Sequence, residues 1–431
     1  MTINSVAAGV IVARLLGADG LGALAVINVA VALVVQLGSV GLPSANTYFI
    51  AQDERRFLAP VAANSLLFAL GLGSVLALLL VGLAFMQPEL FGYIRPTLVA
   101  VAALSIPFQL VTLLGLNIFL AVGRIDRFNQ LDVAGQSLVL VNALVALVVL
   151  GAGLRALVTL NTAAAILVGL LIVWLIGRHV GRQESTTRRE AAGRLRPDFN
   201  LFRRMMTYGV KFHVATLAGL LIFRADLLVV NHFRGAAEAG VYSVASQVAM
   251  MLMVLPGVIA TLLFPRVTTK RDESAALTCR VARHTTFVML LVCLCSVPAS
   301  FLLPLLYGAA FGDVTLQLLI LLPGIFLIGI ESVLVQYFNA AGLPPAIPLF
   351  WVATLCLNLG FTFALVPAWG ARGAALASST SYALIFALVA LYFRARSGRS
   401  LAEAFLLRRA ELRELLHRGR RRHRAPAGQA P

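Results

Sequence analysis

Residues 60–86 read PVAANSLLFALGLGSVLALLLVGLAFM and contain no charged side chain. An α-helix needs about 20 apolar residues to cross a hydrocarbon core of about 30 Å. This stretch is long enough. It is a continuous apolar run, whereas a transmembrane strand alternates apolar and polar residues. Eleven further candidates lie at 3–17, 21–50, 96–122, 130–151, 155–177, 207–233, 236–264, 280–306, 314–341, 346–369 and 372–393. The sequence therefore predicts an all-α integral membrane protein of about twelve transmembrane helices. Helix one is short, and the chain starts almost inside the membrane, which predicts a true start upstream of Met1.

Composition agrees. Of 431 residues, 60% are hydrophobic and 12% are charged, and the mean hydropathy is +0.91. Soluble domains carry about 25% charge. A water-soluble globule this apolar could not cover its own surface, so the two or three soluble domains suggested by length alone are excluded. The cysteines, Cys279, Cys293, Cys295 and Cys356, form neither a CxxC nor a Cys/His cluster. They read as small packing residues rather than disulfide or zinc ligands. No short apolar stretch is followed by a cleavage site and a soluble domain, so no cleavable signal is expected.

The net charge of +17 points at first to nucleic acid. Its location points elsewhere. The tail from Arg394 has eleven Arg against three Glu, and the 178–206 linker has eight Arg against three acids. The 265–283 loop has five basic residues against two acids, and the three segments together hold +16 of the +17. With the N-terminus in the cytoplasm, all three fall on the cytoplasmic side, together with Arg55–Arg56 and Arg124/Arg127. The opposite loops carry at most one Arg each: Arg95, Arg155, Arg234 and Arg372. This is the positive-inside pattern, and it predicts cytoplasmic N- and C-termini. The excess charge meets an anionic leaflet, worth about 1 kcal/mol per cation. The run RRAELRELLHRGRRRHR in the tail reads as an amphipathic surface stretch grading into disorder. No nucleic-acid partner is expected.

The linker, RHVGRQESTTRREAAGRLRPDFNLFRR over 178–204, is the obvious boundary. It predicts an N-terminal six-helix lobe over 1–177, a basic cytoplasmic linker over 178–206, a C-terminal six-helix lobe over 207–393 and a basic tail over 394–431. The halves read as repeats. Gly17-Ala18-Asp19-Gly20-Leu21-Gly22 aligns with Gly235-Ala236-Ala237-Glu238-Ala239-Gly240 at an offset of 218. Phe119 to Gly123 aligns with Phe338 to Gly342 at 219, Gly153-Leu154-Arg155 with Gly370-Ala371-Arg372 at 217, and Pro107 with Pro323 at 216. Six helices per half is an even number, so both halves enter from one side. That is a parallel pseudo-two-fold repeat about an axis along the membrane normal.

Charges inside a membrane helix cost about 2.5–3.5 kcal/mol each on insertion scales and need a reason. Helix seven carries Lys211, His213, Arg224 and Asp226. Arg224 and Asp226 are two apart, on different faces, and do not make a good intrahelical pair. They read either as a cavity cation with a balancing or ion-binding carboxylate, or as parts of a structural ion pair. Lys211 is expected to snorkel to the cytoplasmic surface. Glu331 sits midway along helix ten with no basic residue within four positions. It is an ion-coupling candidate or a packing carboxyl. Arg14 ends helix one, either to meet a phosphate-bearing substrate or to anchor the helix. The cluster GRIDRFNQLD, 123–132, reads as a solvated cytoplasmic loop. A gate or substrate entrance at Arg124 and Arg127, with Asp132, is the alternative. Gln36, Asn46, Gln109, Asn117 and Asn142 are expected mostly as interhelical glue, with a few lining a cavity. Pro107, Pro256 and Pro323 are expected to kink their helices.

The sequence has no GxxxxGK[ST], HExxH or GxSxG motif, and its outer loops are short. Movement of a substrate is therefore expected, not catalysis. No cofactor or metal is expected, beyond coupling to H⁺ or Na⁺.

Two stretches carry a family likeness: VIVARLLGADGLGALAVINVAVALVVQLGSVGLPSANTYFIAQ at 10–52, and RADLLVVNHFRGAAEAGVYSVASQVAMMLMVLPGVIATLLFPRV at 224–267. The first contains ARLLGxxGxG, and the second a D-L-L…G…GVYSVA pattern. Both resemble polysaccharide-unit flippases of the multidrug/oligosaccharidyl-lipid/polysaccharide exporter superfamily. The resemblance covers essentially the whole chain. It implies two helical lobes rocking around a central, often cationic cavity. The implied cargo is an undecaprenyl-pyrophosphate-linked oligosaccharide, moved from the cytoplasmic to the periplasmic leaflet of the bacterial inner membrane. The unit would feed a cell-surface polysaccharide such as an exopolysaccharide or O-antigen. A polysaccharide polymerase and glycosyltransferases are the implied partners. Arg14, Arg224 and Asp226 fall within the matching segments, and the resemblance carries cavity roles over to Arg224 and Asp226. Arg14 stands beside them as a substrate-binding candidate, and Asp226 and Glu331 as the ion-coupling candidates read from their charges. The first lobe departs from the pattern in its short first helix and scarce cavity Lys/Arg. Lipid II flippases of the superfamily have fourteen helices, so twelve argues against that branch. The alternatives are a cation-coupled drug antiporter, which would want acidic residues facing the first-lobe cavity, and a membrane enzyme or scaffold of glycan assembly, which would want a large outer loop.

Overall fold

The computed structural model describes residues 2–92, 94–185, 196–269 and 274–405. Among these residues the chain is helical and has no strand. The principal helices are α1 (Thr2–Ser39), α2 (Leu42–Gln52), α3 (Glu54–Met86), α4 (Pro96–Ala103), α5 (Ile106–Ala121), α6 (Ile125–Ala143) and α7 (Leu154–Ser185). They continue as α8 (Phe199–Arg234), α9 (Ala236–Leu252), α10 (Val254–Thr269), α11 (Ser274–Ser300), α12 (Leu303–Tyr307), α13 (Val314–Ala340), α14 (Ala346–Ser397) and α15 (Leu401–Phe405). Ten helical stretches of the described residues are long and apolar enough to cross a membrane.

The difference from the expected twelve lies at two glycines. Gly17 (φ 70°, ψ −172°) sits inside α1 and Gly370 (φ 57°, ψ −141°) inside α14, so each of these elements is two helices joined across a kink. Both residues occupy a region that side chains with a Cβ rarely enter. Elsewhere, expected single helices are broken. The expected 21–50 helix ends at Ser39 and resumes at Leu42, with Val40 (φ 44°) and Gly41 (φ 74°) between. Pro107 and Pro256 stand in the first turns of α5 and α10, just after breaks at Leu104–Ser105 and Met253. A proline lacks the N–H that would continue the preceding helix, and it is tolerated where that N–H is already free. Pro323 instead lies within the uninterrupted α13.

The chain forms two compact units. The first comprises residues 1–248, 300–321 and 351–381. Two aspartates start its helices. Asp53 accepts a hydrogen bond from Arg56 N (3.1 Å), and Asp198 accepts one from Leu201 N (3.0 Å). Asn64 then ties α3 to the head of α8 by donating to Asp198 O (2.9 Å) and accepting from Asp198 N (3.0 Å). The expected linker is thus helical at both ends, with α7 reaching Ser185 and α8 beginning at Phe199.

The first unit also contains a reciprocal contact. A Cβ at Gly22 would overlap the Ala236 carbonyl, and a Cβ at Gly240 would overlap the Ala18 carbonyl. Ala18 aligns with Ala236 and Gly22 with Gly240 at the offset of 218. Each partner therefore makes the contact that its equivalent makes, as across a two-fold axis. Small residues permit this backbone approach, which drives helix association in lipid.

The second unit comprises residues 249–299, 322–350 and 382–431. Its aromatic side chains cluster. Phe338 stacks on Tyr392 at 4.9 Å, Tyr337 meets Phe393 edge-on at 5.2 Å, and Phe350 meets Tyr392 at 5.7 Å. Arg283 on α11 donates to Glu403 O on α15 at 2.9 Å. The basic run RRAELRELLHRGRRRHR lies outside the described residues.

Candidate functional site

Two cavities inside the first unit meet. The larger, of about 590 Å³, is lined from α1, α4, α5, α6, α7 and α8. The smaller, of about 280 Å³, is lined from α1, α6, α7, α8 and α9. Leu24, Asn28, Val139 and Asn161 line both, so the two form one chamber.

The chamber is polar in an uncommon way for apolar helices. Asn28, Gln36, Gln109, Gln136, Asn142 and Asn161 line its larger part. Several are oriented by neighbours. Asn142 Nδ2 donates to Asn161 Oδ1 (3.0 Å), Gln109 Nε2 donates to Ser105 Oγ (2.8 Å), and Ser5 Oγ donates to Gln136 Oε1 (3.4 Å). A side-chain amide offers two donor hydrogens and two acceptor lone pairs, and one such bond leaves the rest for a ligand. Planar groups that both donate and accept suit hydroxyl-rich molecules. The charged groups of the chamber are Asp132, half-buried on α6, and the pair Arg224 and Asp226 on α8.

Arg224 and Asp226 therefore reach one cavity, but not as an ion pair. Asp226 is 2% exposed. Its carboxylate accepts hydrogen bonds from Leu227 N (2.8 Å), Ser378 Oγ on α14 (2.8 Å) and the Tyr242 hydroxyl on α9. These donors join three helices at one carboxylate. The GVYSVA motif supplies Tyr242, so the two ends of the D-L-L…GVYSVA pattern bond to each other. Arg224 is half-buried, lines the cavity and has no carboxylate within 4.0 Å among the described residues. Among the described residues it is the one Lys or Arg lining either cavity.

The other expected residues fall elsewhere. Arg14 is exposed, and its guanidinium donates to Leu306 O (2.8 Å) and Leu305 O at the end of α12. It lines neither cavity. Glu331 is 2% exposed in the second unit, and its Oε1 has no hydrogen-bond partner among the described residues. Arg124 and Arg127 are exposed and line a separate pocket. The side chain of Lys211 lies outside the described residues. His213 is half-buried, with Nδ1 unpartnered among the described residues.

Of the polar residues singled out in the sequence, Gln36, Gln109 and Asn142 line the chamber. Asn46 instead joins three helices, accepting from Ser65 Oγ on α3 (2.9 Å) and donating to Leu114 O on α5 (3.4 Å), whereas Asn117 bonds within α5, donating to Leu113 O (2.9 Å). Sequence reading missed Asn28, Gln136, Asn161 and the cavity position of Asp132. For one pair a signal was present. Asn142 and Asn161 lie at nearly equal distances on either side of the 150–153 turn, so an antiparallel helix pair brings them level.

Comparison with known proteins gives a consistent result. The chain is 24% identical over 207 residues to the probable low-salt glycan biosynthesis flippase Agl15 of Haloferax volcanii. That match spans 46% of this chain and 43% of the relative, so the chain covers less than half of that protein's length. An inward-facing multidrug resistance MATE family transporter of the MOP superfamily superposes with a TM-score of 0.70 at 16% identity, covering 92% of this chain and 94% of that one. The lipid II flippase MurJ in an inward closed conformation gives 0.68 at 16% identity, covering 94% and 87%. These likenesses show a shared fold. The sequence profile of the polysaccharide biosynthesis proteins matches residues 11–315, and the chain belongs to that family.

Proposed function

We propose that this protein moves a lipid-linked oligosaccharide across the bacterial inner membrane, from the cytoplasmic to the periplasmic leaflet. The observation that carries this reading is the amide-lined chamber with one cation, Arg224, among the described residues. Sugars and a pyrophosphate cannot cross hydrocarbon unaided. A polar chamber shelters them while the polyprenyl tail stays in lipid. In this reading the amides bind sugar hydroxyls and Arg224 meets the phosphate, where a guanidinium makes paired charge-assisted bonds. Asp226 holds α8, α9 and α14 in register around Arg224.

The moving parts are two lobes, 1–177 and 207–393, joined by the 178–206 linker, with both termini cytoplasmic. The reciprocal packing of Gly22 on Ala236 and Gly240 on Ala18 supports a two-fold pivot between equivalent segments. Direction comes from H⁺ or Na⁺, taken up at Glu331. A bare carboxylate in apolar surroundings is unfavourable by several kcal/mol, and either cation relieves that cost. Glycosyltransferases supply the cargo and a polymerase consumes it.

The test is polymer export in a strain lacking its own flippase. Neutralising Arg224 and Asp226 together abolishes export while the protein remains in the membrane. Full export by the double variant removes the assignment. Loss of this protein traps lipid-linked units on the inner leaflet, whereas loss of a polymerase leaves single units on the outer one. One observation favours a second reading, a cation-coupled drug antiporter: Asp132 faces the first-lobe cavity. Drug sensitivity that is unchanged by expression in a transporter-deficient strain leaves that reading without support.

A further inference from the structure

A second charged pocket lies apart from the chamber. Arg124 and Arg127, at the start of α6, and Arg178 and His179, on α7, surround a cavity of about 150 Å³ closed on its apolar side by Phe119 and Leu175. None of the three arginines has a carboxylate within 4.0 Å among the described residues. Two acids stand at the cluster's edge: Glu54, 3.8 Å from His179 Nε2, and Asp126 in the first turn of α6, which does not line the cavity. Like charges gathered around one space repel each other, and an anion seated among them reverses the sign of the interaction. The pocket also lies at the N-terminal end of α6, where the helix adds partial positive charge.

The depth of the pocket is marked by a tryptophan. The Arg178 guanidinium lies over the Trp174 ring, 5.2 Å from its centroid, and Trp174 is 55% exposed. Exposed tryptophans and snorkelling cations belong to the membrane–water interface. The Arg count assigns this side to the cytoplasm, where the leaflet is anionic. The size, charge and depth of the cavity therefore match a phosphate attached to a chain in the bilayer.

We propose that Arg124, Arg127 and Arg178 form a binding site for the phosphate of a membrane lipid headgroup, with Phe119 and Leu175 as the wall facing its apolar chain. Guanidinium forks match phosphate oxygens in pairs, which ammonium groups do not. Two sources share this chemistry: an anionic phospholipid of the leaflet, and a polyprenyl diphosphate on its way to the chamber. The site stands whichever cargo the chamber carries.

The full-length protein in neutral detergent is incubated with phosphatidylglycerol, phosphatidylcholine, a polyprenyl diphosphate or inorganic diphosphate. Retained molecules are counted by native mass spectrometry. The wild type retains phosphatidylglycerol, the polyprenyl diphosphate or both, and whichever is retained names the source. The R124Q/R127Q/R178Q variant lowers that retention by about tenfold or more, as expected for losing charge-assisted hydrogen bonds. The matching triple Lys variant falls between the two. Because a triple change can disturb folding, R124Q and R127Q are also measured singly. Exposed single changes leave stability nearly untouched, and each lowers retention by about threefold. The proposal is overturned if the Gln variants retain lipid as the wild type does, or if phosphatidylcholine is held equally well. It is also overturned if inorganic diphosphate is retained while neither anionic lipid is, or if nothing is retained.

Discussion

Asp226 and Glu331 are two carboxylates buried to the same degree, 2% exposed each, yet held in opposite ways. Asp226, in the first unit, accepts from Leu227 N, Tyr242 and Ser378. Glu331, in the second, has an Oε1 with no partner among the described residues. Burial alone therefore says little about a carboxylate's role. A carboxylate saturated by donors from other helices is a joint, and removing it leaves those donors orphaned. One whose Oε1 has no donor leaves fewer groups orphaned when it is removed.

Ranked by thermal stability of the purified protein, the largest expected change belongs to Asp226→Ala. It strands two buried hydroxyl donors and a backbone N–H, a loss of about 3 kcal/mol. A melting temperature equal to that of the wild type would break the comparison at its firmer end. Tyr242→Phe removes one of the three donors and is expected to cost about 1 kcal/mol. Combined with Asp226→Ala it should add almost nothing, because residues in one network are not additive. Additive losses would mean that the two side chains act separately. Glu331→Gln is expected to change stability by less than about 0.5 kcal/mol or to raise it, since Oε1 has no partner among the described residues and a buried charge is avoided. Its effect should appear instead as export that no longer responds to the H⁺ or Na⁺ gradient. A destabilisation matching that of Asp226→Ala would erase the distinction. Arg224→Gln should leave the melting temperature within error, because Arg224 has no ion-pair partner among the described residues, while export falls at least tenfold. Normal export by this variant would move the phosphate contact away from the chamber.

The pattern of what the sequence revealed follows from the same physics. Arg224, Asp226 and Glu331 could be read because a charge stands out against an apolar run. Asp132 could not. It follows Arg124, Asp126 and Arg127 closely enough to read as the end of a solvated loop, and only the course of α6 shows that it faces a cavity. Arg14 stood out as clearly as Arg224, but its hydrogen bonds to Leu305 and Leu306 join residues nearly 300 positions apart. No local pattern carries such a contact. The amides divide for the same reason: Gln109 and Asn117 lie on one helix, eight positions apart, yet only Gln109 lines the chamber.

That the chain is a bundle of helices long and apolar enough to span a membrane was legible from residue order, because apolar length depends on composition and order alone. The positions of the kinks were not legible in the same way: the expected sites are Pro107, Pro256 and Pro323, yet Pro323 lies within the unbroken α13 and the kinks inside α1 and α14 fall at Gly17 and Gly370. The tertiary structure alone decided which polar groups share a space. The angular position of a side chain on a helix has meaning only once the neighbouring helices are in place. That is why Asp226 proved to be a joint between three helices, and why Arg224, two residues away, is the cation left facing the chamber.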